Sequence, residues 1–149
     1  PPEAPAAGLA AIRYVREHAA EYSTDPERVG FLGFSAGGFL GRSVVEHGEA
    51  DMPNFVALIY PSLAPMQVPA GAPPMFVTIA ADDFLLAMHP DMPLLRDYRA
   101  AGRPVEFHLL ANGGHGFGLA HGTAGMASEN WIETLHRWIG VIGILEEDE

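Results

Sequence analysis

The chain contains no cysteine. That absence excludes disulfides, zinc–thiolate sites and a thiolate nucleophile together, while leaving the compartment open. Basic residues are scarce: eight lysines and arginines face nineteen acidic residues, a formal net charge of −11. Such a balance gives little footing for phosphate backbones or anionic lipid, so neither nucleic acid nor a membrane is an expected partner. No apolar run approaches the ~18 residues a membrane helix needs. No basic stretch precedes an apolar one near the start, so no signal peptide is visible, and a cytoplasmic location is slightly favoured. Phosphate-loop Gly-Lys-Ser/Thr and zinc-binding His-Glu-x-x-His patterns are both missing, and no cofactor is expected. The glycines at 114, 116 and 118 do not have dinucleotide-binding spacing.

What is present is a globular composition, 48% hydrophobic over 149 residues. A chain of this length buries roughly 68–70% of its unfolded surface and suits one domain, residues 1–149, with an acidic tail at 145–149. Residues 1–8 read as a loop. Leu9, Ile12, Val15, Ala19 and Tyr22 then recur at helical spacing. "VGFLGF" (29–34), "NFVALIY" (54–60), "MFVTIA" (75–80) and "VEFHLL" (105–110) are short, nearly continuous apolar runs. Runs of that kind suit strands buried on both faces of a parallel sheet. Helices are expected from 36 to about 46, closed by Gly48, and around Leu94, Leu95 and Tyr98. A last helix is expected to bury Trp131, Ile132, Leu135, Trp138 and Ile139, with Ser128 as its cap. Residues 61–74 carry five prolines and read as a loop. Strand and helix alternate throughout, which predicts an α/β fold: a mostly parallel sheet of about four strands with helices on both faces.

In open α/β sheets, sites collect at the carboxyl ends of the strands. Ser35 follows the first run, Asp82 and Asp83 the third, and His115 the fourth. A serine, an acid and a histidine in that order are what acyl transfer requires. "Gly33-Phe34-Ser35-Ala36-Gly37" is a G-x-S-x-G pattern between a predicted strand and a predicted helix. Side chains at 33 or 37 are expected to collide with neighbouring backbone in so sharp a turn. Ser35 is read as the nucleophile and the Ala36 N–H as an oxyanion donor; a structural turn serine is the alternative. Asp83 is the preferred acid, being deeper in the loop; the alternative makes Asp82 the acid and Asp83 a cap. Three glycines flanking His115 let its loop bend toward the serine. Phe34, Phe84 and Phe117 are candidate apolar walls, or equally core. His18, His47 and His136 read as surface residues of helices, His108 as a strand-edge residue, and His89 and His121 as loop residues near the site. A metal held by His115, His121 and Asp83 matches no standard spacing.

With these residues in place, the chain resembles the catalytic half of an α/β-hydrolase, of the esterase/lipase branch typified by acetyl-xylan and feruloyl-type esterases. The stretches that carry the resemblance are "AIRYVREHAAEYSTDPERVGFLGFSAGG", "APPMFVTIAADDFLL" and "LRDYRAAGRPVEFHLLANGGHGFG". The resemblance implies a triad of Ser35, Asp83 and His115, and a small ester as substrate. The short separations between the three suit a form with almost no cap domain. It also implies a departure: no match exists here for the amino-terminal strands or for the His-Gly-Gly-type loop that supplies a second oxyanion N–H. The fold expected is therefore truncated, with strand 29–34 at a bare apolar edge. A homodimer pairing through that edge is the expected cover. A non-catalytic module that assembles with another chain is the alternative function.

Overall fold

A computed structural model of the chain describes residues 3–119 and 124–145. His121 and the "EEDE" ending lie outside the described residues. Four strands, β1 (Phe31–Phe34), β2 (Val56–Ile59), β3 (Met75–Ala80) and β4 (Val105–Leu110), form one sheet in the order β1-β2-β3-β4, and every pairing is parallel. Helices α1 (Ala4–Glu17), α2 (Ala36–His47), α3 (Phe84–Met88), α4 (Pro93–Ala100) and α5 (Trp131–Val141) make the connections and cover the sheet.

Alternation along the strands decides which helix each residue meets. Phe31, Gly33 and Leu58 face α2, which approaches closely enough that a Cβ on Gly41 would stand 2.6 Å from Leu58 Cδ2 and 3.0 Å from Phe31 Cε1. Phe34 and Phe76 face the other way, onto Trp131 (5.8 Å) and Trp138 (5.5 Å) of α5. The two inner strands, covered on both sides, are wholly buried along their length. That is why their sequences read as unbroken apolar runs. Burying one such Leu or Ile contributes about 1.5–3 kcal/mol.

β3 and β4 occupy the predicted 75–80 and 105–110. The other elements shift for identifiable reasons. Helix α1 begins at Ala4 inside the predicted loop, because Pro5 sits in the first turn, where a missing N–H costs nothing. It ends at Glu17, so Tyr22 lies beyond it and is half-exposed. β1 and β2 are trimmed to 31–34 and 56–59. Before them, Asn54 holds the connection, its N–H donating to Val29 O and its Oδ1 accepting from Val29 N–H. Gly48 closes α2 as expected, with φ −69°, and is required by proximity, since a Cβ there would stand 2.7 Å from Val44 O. The last helix starts after Asn130, and Ser128 does not cap it: its Oγ is buried with no hydrogen-bond partner among the described residues. Ile132 points outward, while Trp131, Leu135 and Trp138 are buried.

The proline-rich segment 61–74 is held from beneath. Buried Arg42 on α2 donates to Ser62 O (3.2 Å) and Pro65 O (2.7 Å), and Asp97 on α4 accepts from Met66 N–H (3.0 Å). Desolvation draws the Arg42 guanidinium below its ordinary value, with Glu46 and Asp97 opposing.

Candidate active site

β1 ends in a turn that the backbone makes under strain. Ser35 has φ 50° and ψ −110°, a left-handed φ that a non-glycine residue adopts at a cost of order 1–3 kcal/mol. The surroundings over-determine it. Its N–H continues the ladder to Ile59 O (3.0 Å), and its carbonyl accepts from Gly38 N–H (2.8 Å) as α2 begins. Gly33 makes the turn possible, because a Cβ there would stand 2.2 Å from Gly37 O. Gly37 is different. An added Cβ at 37 meets nothing within 4 Å, which corrects the expectation that both glycines are there to avoid a clash.

The Ser35 side chain projects to His115, with Oγ 2.8 Å from Nε2. On the far side of the ring, His115 Nδ1 lies 2.8 Å from Asp83 Oδ2. An ionised carboxylate only accepts, so Nδ1–H donates to Asp83. In the neutral ring Nε2 must then accept, and Ser35 Oγ–H donates to it. Asp83 is 1% exposed and also caps α3, its Oδ1 accepting from Leu85 N–H at 2.8 Å. The two roles set as alternatives in the sequence, partner of the histidine and cap of the next turn, thus fall on one residue. Asp82 is exposed and turns instead to the histidine loop, where its Oδ1 accepts from Gly114 N–H (2.8 Å).

Three parallel strands therefore bring Ser35, Asp83 and His115 together from positions far apart in the chain. Ala36 opens α2, and the first N–H groups of a helix have no intrahelical partner. Its N–H is a donor at the positive end of the helix, beside the serine. The three phenylalanines separate. Phe84 is 58% exposed with its ring 4.7 Å from the imidazole of His115. Phe34 is partly buried between Tyr60 and Trp131. Phe117 is buried in the core, edge-on to Tyr60 at 4.7 Å.

The sequence reading missed Tyr60. Its ring lies 5.0 Å from His115 in edge-to-face geometry and also touches Phe34 and Phe117, so it joins the serine turn to the histidine loop. It has φ 42°, another strained position. Burial pushes its phenol up, Gly118 backbone hydrogen bonding opposes this, and the Asp83 charge adds to it. Its place at the carboxyl end of a buried strand is the signal that could have found it, shared with the other site residues.

The other histidines stay apart. His47 and His136 are exposed on their helices. His18 ends α1, stacked on Tyr14, and His89 ends α3. His108, on edge strand β4, bonds Glu106 (2.8 Å) and packs against Phe76. Among the described residues no cluster of three or more His, Asp or Glu is placed to hold a metal ion.

Comparison with known proteins agrees with this architecture. A sequence profile described as alpha/beta hydrolase fold matches residues 1–70. MGS-M1, an α/β hydrolase enzyme from a Medee basin deep-sea metagenome library, is 28% identical with a TM-score of 0.80; the match covers 91% of this chain and 62% of that one. An acetyl ester-xyloside bifunctional hydrolase from Caldicellulosiruptor lactoaceticus is 26% identical, also with a TM-score of 0.80, over 93% of this chain and 65% of its own. Propionate-bound esterase 2 of Thermogutta terrifontis, 23% identical with a TM-score of 0.77 over 95% and 65%, is alike in fold. No curated protein sequence matches the chain. The chain shares its fold with α/β hydrolases and resembles them in sequence over residues 1–70. It spans 62% and 65% of the first two structures it resembles.

Proposed function

We propose that the chain carries the catalytic machinery of a serine esterase acting on short-chain carboxylic esters, carbohydrate acetyl esters among them. The observation that supports this most is the continuous hydrogen-bonded path from Ser35 Oγ through His115 to buried Asp83, 2.8 Å at each step. Ser35 Oγ attacks the ester carbonyl carbon as His115 Nε2 takes its proton. Asp83 fixes the tautomer and stabilises the imidazolium. The oxyanion is held by Ala36 N–H, and the imidazolium returns the proton to the departing alcohol. Water, deprotonated by the same histidine, attacks the acyl-enzyme, releasing the acid and restoring Ser35. With this donor alone, turnover is expected about 10²–10³ below that of a two-donor site. Phe84, exposed beside the imidazole, is suited to meet a small acyl or alcohol group.

The test is hydrolysis of p-nitrophenyl acetate by the chain and by Ser35→Ala, with circular dichroism to confirm folding. Turnover abolished by the substitution is the expected result. Equal, slow rates in both proteins would refute the reading and leave a non-catalytic module.

A second reading concerns assembly. β1 stands at the sheet edge with Leu32 47% exposed, and an apolar edge invites pairing. We propose that β1 pairs with β1 of a second copy. Sedimentation velocity should show a dimer with slowed amide exchange at residues 29–34; a monomer exchanging freely there refutes it.

A further inference from the structure

The residue that the hydrolytic path leaves unused is Asp82, next to the triad acid. It points away from His115 Nδ1 and into the bend that carries His115, where its Oδ1 accepts from Gly114 N–H at 2.8 Å. That Gly114 N–H holds the Asp82 carboxyl below the usual carboxylate range against a desolvation cost, with the backbone N–H groups of Asp82 and Gly113 contributing less.

The bend needs such a hold. Gly113, Gly114, Gly116 and Gly118 have φ of 151°, 62°, 83° and 51°, so four of its residues are ones with the least intrinsic backbone preference. Apart from the two bonds made by the His115 ring, its other ties among the described residues lie at its ends. Asn112 Oδ1 accepts from Ala127 N–H (2.9 Å), and Gly118 O accepts from Trp131 Nε1–H (2.7 Å). Neither touches the residues adjoining His115. Asp82 does, one residue away from the imidazole. Its own backbone is fixed by the end of β3, since Ala81 N–H donates to Leu110 O (2.8 Å). Asp83 and Asp82 therefore issue from one short turn: one carboxylate reaches the ring, the other the backbone that presents it.

We propose that Asp82 is a positioning residue that sets the placement of His115 over Ser35 by binding the N–H of Gly114. The proposal rests on the esterase reading for its kinetic consequence and on the loop geometry alone for its structural one. A tether to an exposed amide competes with water, so its loss loosens the loop rather than unfolding the chain. Misplacement by about 1 Å can cost up to ~10² in rate; a partly populated displacement is expected to lower kcat about ten-fold.

The experiment compares the chain with Asp82→Ala and Asp82→Asn. It measures kcat and KM on p-nitrophenyl acetate, and amide exchange of residues 113–116 by mass spectrometry. Asn keeps an acceptor oxygen for Gly114 N–H and Ala keeps none. Expected are a roughly ten-fold loss of kcat with little change in KM for Ala, near-complete recovery in Asn, and faster exchange of 113–116 in Ala only. Unchanged exchange and kcat in Asp82→Ala overturn the proposal. An Asn variant as impaired as Ala overturns the hydrogen-bond tether, and a loss in both equal to that of Asp83→Asn would make Asp82 part of the triad instead. If the parent chain has no Ser35-dependent turnover, the esterase reading fails alone, and the exchange measurement still decides the tether.

Discussion

The close approach of α2 to the end of β1 gives a sharp contrast between two glycines four residues apart. In Gly33→Ala the new Cβ would stand 2.2 Å from Gly37 O and 2.5 Å from Gly37 C, both backbone atoms, where ordinary contact begins at 3.4 Å. Neither can rotate away as a side chain would, so the first turn of α2 must retreat by about 1 Å. That turn begins at Ser35, whose carbonyl caps it and whose Oγ is in contact with His115. Overpacking of this kind costs about 1–3 kcal/mol, and under the proposed function a 1 Å shift of Ser35 up to ~10² in rate. Gly37→Ala meets nothing within 4 Å and lies inside α2, where alanine is the better helix former by up to about 1 kcal/mol. Urea unfolding and p-nitrophenyl acetate kinetics on both variants test the argument. Gly33→Ala should lower the urea midpoint and kcat, whereas Gly37→Ala should leave both at or above the parent values. A Gly33→Ala protein as stable as its parent, or a Gly37→Ala protein equally damaged, would refute the steric argument whether or not the chain is active.

Asp83→Asn should keep the cap on α3, since asparagine is a good cap, while favouring the wrong histidine tautomer; kcat should fall about 10⁴-fold with the unfolding midpoint little changed. Leu58→Ala, at a wholly buried position under α2, should destabilise by about 2–5 kcal/mol in urea titration. Arg42→Met strips the donors from Ser62 O and Pro65 O and should cost about 2–3 kcal/mol, with faster amide exchange across residues 61–74. Asp97 is held below the usual carboxylate range first by Met66 N–H and then by Arg96, despite a desolvation cost. A depressed folded value adds stability above the unfolded value and loses it as pH falls through the folded one. The midpoint should therefore drop on acidification below about pH 4, less steeply in Asp97→Asn; equal slopes would remove Asp97 from the explanation.

Much of this was legible in the residues. β3 and β4 could be bounded to the residue because apolar runs end there at turn-forming sequence. The order serine, acid, histidine at successive strand ends could be read because parallel sheets gather such ends on one side. The choice between Asp82 and Asp83 could not, since it depends on which carboxylate the folded loop turns toward the ring. Tyr60 escaped for a related reason: an aromatic ending a core strand looks like more core until its neighbours are known. Ser128 misled because a serine near a helix start fits the cap pattern, yet tertiary packing placed it against Gly113, where a Cβ would be 2.7 Å from its Oγ.

Between the strand that bears the serine and the strand that bears the acid runs β2, which lends only Tyr60 to the site. Neighbouring strands are about 4.8 Å apart, so β1 and β3 are separated by roughly 10 Å. A serine and an aspartate cannot meet across that gap. An imidazole with a hydrogen bond at each nitrogen can span it. The middle strand thus acts as a spacer gauge: its width leaves room for a ring between Ser35 and Asp83, and here the loop after β4 supplies that ring.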